Sequence, residues 1–179
     1  MTEVALIVGG GPGVSASCAR LFAQQGMRVA VAARNPGKPA LTKLVEEHQV
    51  SVYECDAAEP DSVASLFATV SRELGSPRLV VHNIDGRTQH IFRKEITEAD
   101  PNLVLDTIRN SAFSAFLVGQ QAAASMLAND PDDRGHRGTI IFTNASAALK
   151  GYPKSGAFAI ASHGKSGLAQ SMARELMPQ

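Results

Sequence analysis

The residues whose types and spacing could do chemistry fall at a few places along the chain. Gly9-Gly-Gly-Pro-Gly13 follows the apolar run Val4 to Val8 and precedes a helical pattern. Glycine at such a turn permits a tight reversal and a close backbone approach to a ligand. The helix start behind it offers free N–H groups and a positive dipole end, suited to a phosphate. Asn83 ends a second apolar run, and Asn144 and Ser146 follow a third, where amide and hydroxyl can polarise a carbonyl. Tyr152, Lys154, His163 and Lys165 are proton-handling types near the end of the chain. Tyr152 and Lys154 are two apart, the wrong spacing for one helix face, whereas Lys165 lies three beyond Ser162 on a neighbouring part of one face. The plain expectation is a half-buried loop aromatic for Tyr152, a surface charge for Lys165 and a helix-face residue for His163. Asp130, Asp132, Asp133 and His136 read as a solvated loop and not as a metal site, because no strand or helix fixes them.

These positions need elements to hold them. Short apolar runs alternate with longer amphipathic ones. Strands are expected at Val4 to Val8, Arg28 to Ala33, Val50 to Cys55, Leu79 to Val81 and Thr139 to Phe142. Val4 to Val8 is a continuous aliphatic run, as in a strand buried on both faces, and Leu79 to Val81 reads as another buried strand. Helices are expected over Ser15 to Gln25, capped by Gly26, over Pro39 to Glu47, and over Asp61 to Leu74, which Pro60 helps start. Pro101 to Leu127 reads as one long helical stretch and Gly156 to Leu176 as a closely packed helix ended by Pro178. Strands alternating with helices imply parallel units with right-handed crossovers, hence a three-layer doubly wound α/β sheet in a single domain, residues 1–179.

Composition bounds the function. Lys plus Arg and Asp plus Glu are 17 each among 179 residues, so no overall field draws nucleic acid or an anionic membrane. The first apolar run is too short to span a bilayer, and Glu3 stands where a signal peptide wants bases, so the expected location is cytoplasmic. Cys18 reads as a small core residue, and no disulfide framework is expected from it and Cys55.

The motifs, in order, resemble the short-chain dehydrogenase/reductase family. Val8-Gly9-Gly-Gly-Pro-Gly13-Val-Ser15 is similar to its phosphate loop, with Ser15 standing for the last glycine. Asp56 matches an acid that contacts adenine, and Leu79-Val-Val-His82-Asn83-Ile84-Asp85 matches a strand ending in Asn-Asn-Ala-Gly, of which Asn83 remains. Asn110 matches the active-site asparagine of the long helix. The resemblance implies a Rossmann fold with strand order 3-2-1-4-5 over about five strands. It also implies further strands after Pro178, which this sequence lacks. If Gln179 is the natural end, the fifth strand is a bare edge and the wall of the substrate pocket is missing.

The resemblance implies a nucleotide held by Gly9, Gly11, Gly13, Val14, Arg34, Asp56 and Asn83. An acid at the end of the second strand would hold the adenine ribose, but Ala33-Arg34 stands there. A guanidinium in place of an acid favours NADP(H), with NAD(H) the alternative, and a solvated Arg34 is the plain reading. Ser15 adds a side chain near the expected phosphates, and Asp85 adds a carboxylate near the pyrophosphate.

Aligned backwards from Ala169-Gln-Ser-Met-Ala-Arg-Glu-Leu, the family's catalytic tyrosine falls on Phe158, its lysine on Ser162 and its serine on Ala145. Phe has no proton to give. Asn110 remains, with Ser146 and Asn144 beside the serine position as stand-ins. The resemblance thus implies an oxidoreductase moving hydride between nicotinamide and a small-molecule carbonyl or alcohol, with an atypical active site. The alternatives are a silent nucleotide- or partner-binding homologue, or a lyase or isomerase in the same pocket. Ala161, Gly164, Gly167 and Leu168 give the last helix a small-residue face, consistent with a homodimer or homotetramer.

Overall fold

Val4-Ala-Leu-Ile-Val8 carries no polar side chain, and all five residues of this strand, β1, are buried. Such a strand belongs at the centre of a sheet covered on both faces. The computed structural model, which describes residues 2–91 and 93–177, places it there. Five strands run in the order β3-β2-β1-β4-β5, with β2 at Arg28–Ala33, β3 at Ser51–Glu54, β4 at Pro77–His82 and β5 at Thr139–Phe142. β1 pairs in parallel with β2 (Leu6 opposite Ala30) and with β4 (Leu6 opposite Val80), and β2 pairs with β3 (Val31 opposite Val52). This is the doubly wound parallel order expected.

The chain divides into two compact units, Met1–Asn83 with Leu117–Ile141, and Ile84–Phe116 with Phe142–Gln179. The first holds the sheet and three helices, α1 (Val14–Gln24), α2 (Pro39–His48) and α3 (Pro60–Glu73). Its core gathers alternate strand residues, Ala5, Ile7, Val29, Val31 and Ala33, against Ala16 and Ala19 of α1 and Leu41 and Leu44 of α2. Period-two side-chain alternation puts Leu6, Val8, Ala30 and Ala32 on the other face, and they too are buried. α3 starts on Pro60 with Asp61 in its first turn and Arg72 in its last, as the helix dipole favours. Arg28 closes its far end, donating to Leu74 O at 2.7 Å and Glu73 O at 2.8 Å.

The second unit is helical. α4 (Pro101–Ile108) is capped by Asp100, whose carboxylate accepts from Asn102 N. A π turn follows at Arg109–Phe113, then α5 (Ser114–Leu127), which runs on into the first unit. The single long helix expected here is therefore interrupted. The cause lies in the loop after β4: Gly86 has φ +76°, and a Cβ there would stand 2.8 Å from Thr107 O and 2.9 Å from Ser111 N. The widened turn receives that backbone, and Ser114 Oγ donates to Asn110 O at 2.7 Å, taking up a carbonyl that the bulge displaces. A short 3₁₀ turn at Ser146–Ala148, which the sequence pattern does not announce, precedes α6 (Gly156–Leu176). Pro178, expected to end α6, lies outside the described residues. Among the described residues, no helix is long and apolar enough to cross a membrane.

Candidate functional site

The first unit brings together Gly9, Gly11, Gly13, Val14, Arg34, Asp56 and Asn83, all at the ends of strands or the start of α1. The loop glycines have separate reasons to exist. Gly9 has φ +106°, and its N–H and that of Gly10 both donate to Ala32 O at 2.9 Å, which turns the chain over β2. Gly10 is a packing glycine, since a Cβ would stand 2.9 Å from Val31 and 3.1 Å from Leu41. At Gly11 and Gly13 a Cβ would meet nothing within 4 Å. Neither of these two is explained by crowding or positive φ, and the space above them is open. α1 begins directly behind, capped by Gly13 with no side-chain hydrogen bond and with no acid in its first turn. Its first N–H groups and dipole end are thus available to an anion. Val14, 54% exposed, offers an apolar surface at the same place.

Ser15 does not obstruct this space. It is fully buried, its hydroxyl donates to Gly9 O at 2.7 Å, and it accepts from Asn83 Nδ2 at 2.7 Å. The expected added bulk near the phosphates is instead turned inward, tying the loop to the end of β4. At the next strand end, Arg34 is exposed just beyond β2. Asp56, beyond β3, accepts from Ala58 N at 3.0 Å, a turn that fixes its carboxylate.

The second unit holds Asn110, Asn144, Ser146, Phe158 and Ser162. Asn110 sits within the π turn, a geometry found often at functional sites. Asn144 is committed to structure: its amide donates to Ser162 O at 2.9 Å and Ser166 Oγ at 3.2 Å, while its oxygen accepts from Ala145 N. Ser146 is exposed at the start of the 3₁₀ turn. Ser162 is buried on α6, and among the described residues its hydroxyl has no hydrogen-bond partner. Phe158 lies under the guanidinium of Arg87, 4.3 Å from ring centroid to Cζ. Arg87 is held in turn by Asp85, donating from Nε at 3.0 Å and Nη2 at 2.8 Å to one carboxylate oxygen. The Asp85 charge is thus met by a cation.

Lys165 departs most from expectation. It is 2% exposed, and its Nζ donates to Ile84 O at 2.6 Å and Thr143 O at 3.3 Å. Burial lowers its pKa to about 8, against the opposing pull of Asp85. It is an interior amine, not a surface charge. The pattern Ala157, Ala161, Ser162, Lys165 is a buried helical stripe, so period 3.6 carries the signal that reading Lys165 by residue type passes over. Arg87 has no such signal, since its place depends on the loop after β4. Tyr152 is 42% exposed, and exposed His163 contacts Ala159 O through Nδ1. Asp132 spends its carboxylate on the N–H groups of Arg134 and His136 within its own loop.

Comparison with known proteins bears on the family and the fold. A family profile described as enoyl-(acyl carrier protein) reductase matches residues 10–179. A 3-oxoacyl-[acyl-carrier-protein] reductase of Bos taurus is 24% identical over 98% of this chain and 70% of its own length. The 3-oxoacyl-[acyl-carrier-protein] reductase MabA of Mycobacterium tuberculosis (strain ATCC 25618 / H37Rv) is 29% identical over 96% of this chain and 62% of its own. The chain therefore spans between 62% and 70% of the length of these relatives. Among solved structures, a short-chain dehydrogenase from Rhodopseudomonas palustris superposes with TM-score 0.86 at 29% identity, covering 98% of this chain and 79% of that one. An F189W actinorhodin polyketide ketoreductase with NADPH shares the fold at TM-score 0.85 and 24% identity, covering 98% of this chain and 65% of that one. The chain belongs to the short-chain dehydrogenase/reductase family.

Proposed function

We propose that this member of the short-chain dehydrogenase/reductase family binds NADP(H) in preference to NAD(H). We further propose that it acts as a slow carbonyl/alcohol oxidoreductase without a phenolic proton donor. The observation that carries the first part is the open, uncapped start of α1 behind Gly11 and Gly13. Gly11, Gly13 and Val14 hold the phosphates there, with backbone N–H groups as donors, and Gly9, whose own N–H is engaged by Ala32 O, shapes the turn that presents them. Asn83 keeps the loop in shape through Ser15. Arg34 pairs with a 2′-phosphate where an acid would repel it, and Asp56 meets the adenine.

A nicotinamide held by these residues would supply or accept the hydride. The residues of this chain do the rest. Ser146 hydrogen-bonds the carbonyl oxygen, and the fixed positive charge of Arg87, stacked on Phe158, stabilises the developing oxyanion. A guanidinium holds its proton at all working pH values, so the proton that completes the alcohol comes from water. Asn110, in the π turn, orients that water. Lys165 holds the backbone at Ile84 and Thr143 and is a positioning residue.

Phe158 beneath Arg87, in place of a proton donor, also favours a second reading, a silent homologue that binds nucleotide without turnover. Calorimetric titration with NADPH and NADH tests the cofactor assignment. Arg34→Gln should weaken NADPH by about tenfold, roughly 1.4 kcal/mol, and leave NADH unchanged. Equal loss for both cofactors contradicts the role of Arg34. Ketones and aldehydes that leave bound NADPH unoxidised would establish the silent reading. We further propose that it is a cytoplasmic homo-oligomer acting on small molecules.

A further inference from the structure

The second unit contains a cavity of about 290 Å³ whose lining includes Arg87, Arg93, Lys154, Ser146, Tyr152 and Phe158. Its residues contribute three cationic side chains and no carboxylate. The acids that meet these cations stand outside the lining: Asp85 holds Arg87 at 2.8 Å, and Glu95 holds Lys154 at 2.7 Å. Side chains held from behind in this way lose less freedom when they meet a ligand.

The backbone gives an independent sign. Among the described residues, three that are not glycine have positive φ: Gln49, Arg93 at +57° and Lys154 at +60°. Two of the three line this one cavity. Left-handed backbone at bulky residues is unfavourable and persists where the surroundings impose it, which happens disproportionately at ligand sites. Here it brings two cations to one wall. The cavity lies near the lower end of ligand-pocket sizes, about 300–1,000 Å³, which suits a small molecule.

We propose that this cavity is a specificity pocket for a small oxo acid, whose carboxylate is held by Arg93 and Lys154 while Arg87 and Ser146 meet its carbonyl oxygen. The carbonyl half of the assignment rests on the oxidoreductase reading above. The carboxylate half rests on the charge of the lining. A planar guanidinium offers a fork of donors matched to a carboxylate, and three cations on one small cavity sum their attraction for it. A neutral carbonyl compound has nothing to offer these cations.

The test is an NMR titration of the full chain, without nucleotide, using 2-oxobutyrate, its methyl ester and inorganic phosphate as probes. Saturable shifts with 2-oxobutyrate, at least tenfold tighter than with the ester or phosphate, are expected. Arg93→Gln and Lys154→Gln should each weaken 2-oxobutyrate by fivefold or more, and Arg93→Lys, which keeps the charge, by less. Unchanged affinity in both neutral variants, or equal binding of acid and ester, overturns the proposal. Phosphate binding as tightly as the oxo acid does so too, since the site would then read charge alone. Spectra retaining their dispersion separate lost binding from lost folding. A chain that captures 2-oxobutyrate but never binds NADPH overturns the oxidoreductase reading alone. One that binds NADPH but no oxo acid overturns this proposal alone.

Discussion

At the loop after β1, a serine stands where the family resemblance expects the last glycine. On α6, a phenylalanine and a serine stand where it expects tyrosine and lysine. The two departures teach different things. Ser15 is absorbed into the fold: its hydroxyl closes a chain from Gly9 O to the Asn83 amide, and the space over Gly11 and Gly13 stays open. Phe158 and Ser162 are not compensated in the same way. Phe158 gains a cation over its ring, Ser162 keeps a buried hydroxyl without a partner among the described residues, and neither holds an acidic proton suited to neutral pH. A polar substitution near a backbone ligand site is tolerated where protein acceptors take it up. If Phe158 does replace the family's general acid, as the resemblance implies, no such remedy exists, because the chemistry needs that group itself.

The largest expected effect tests the α6 side. Phe158→Tyr combined with Ser162→Lys restores a phenol and an ammonium one helical turn apart. It should raise NADPH-linked carbonyl reduction by about 10²–10⁴-fold, the usual worth of a general acid. Nicotinamide absorbance follows it, and no gain with cofactor still bound would show that more than the donor pair is missing.

The next test separates the loop glycines. Gly10→Val crowds Val31 and Leu41 and should cost about 1–3 kcal/mol in denaturant unfolding. At Gly11 an added Cβ meets no protein atom within 4 Å, so Gly11→Ala should hold stability within about 0.5 kcal/mol, while NADPH affinity falls at least tenfold. If both variants lose stability alike, Gly11 is a packing glycine and the open space has another cause.

A smaller effect is expected from Ser15→Ala, which removes two hydrogen bonds and should cost about 1 kcal/mol or somewhat more. NADPH affinity should then fall, because the loop loses its tie to Asn83. Unchanged affinity would mean that the tie serves stability only.

The smallest is a pH slope. Lys165 titrates at about 8 when folded and near 10.5 when unfolded. Between these values the unfolded chain binds the extra proton, so stability should rise as pH climbs from about 8 towards 10.5 and the cost of a buried charge is relieved. Below that window the penalty is fully present. Lys165→Met should remove this rise from the thermal unfolding profile, and a slope that persists would assign it elsewhere.

Much of the fold is legible in the residues. β1 is aliphatic throughout and β2 after its first residue, Arg28, β5 and α6 begin and end where the pattern places them, and Gly26 has the left-handed φ, +82°, that a helix-ending glycine suits. The π turn is not legible, because it answers to the backbone of Gly86, twenty-odd residues upstream. Arg87 and Lys165 escape for related reasons. Charge alone reads as surface, and only tertiary packing shows that one lies on an aromatic ring and the other reaches two backbone carbonyls. Asn144 is the converse: its type suits substrate polarisation, but its amide is already engaged with α6.

The proposed function requires a working nucleotide loop in a chain whose α6 carries no phenolic proton donor. NADPH and NADH added to the purified chain, with nicotinamide fluorescence followed before and after a panel of ketones and aldehydes, probe both requirements at once. Saturable binding, tighter for NADPH, is expected, with oxidation far slower than in the Phe158→Tyr, Ser162→Lys variant. Absence of saturable binding by either nucleotide would overturn the proposed function.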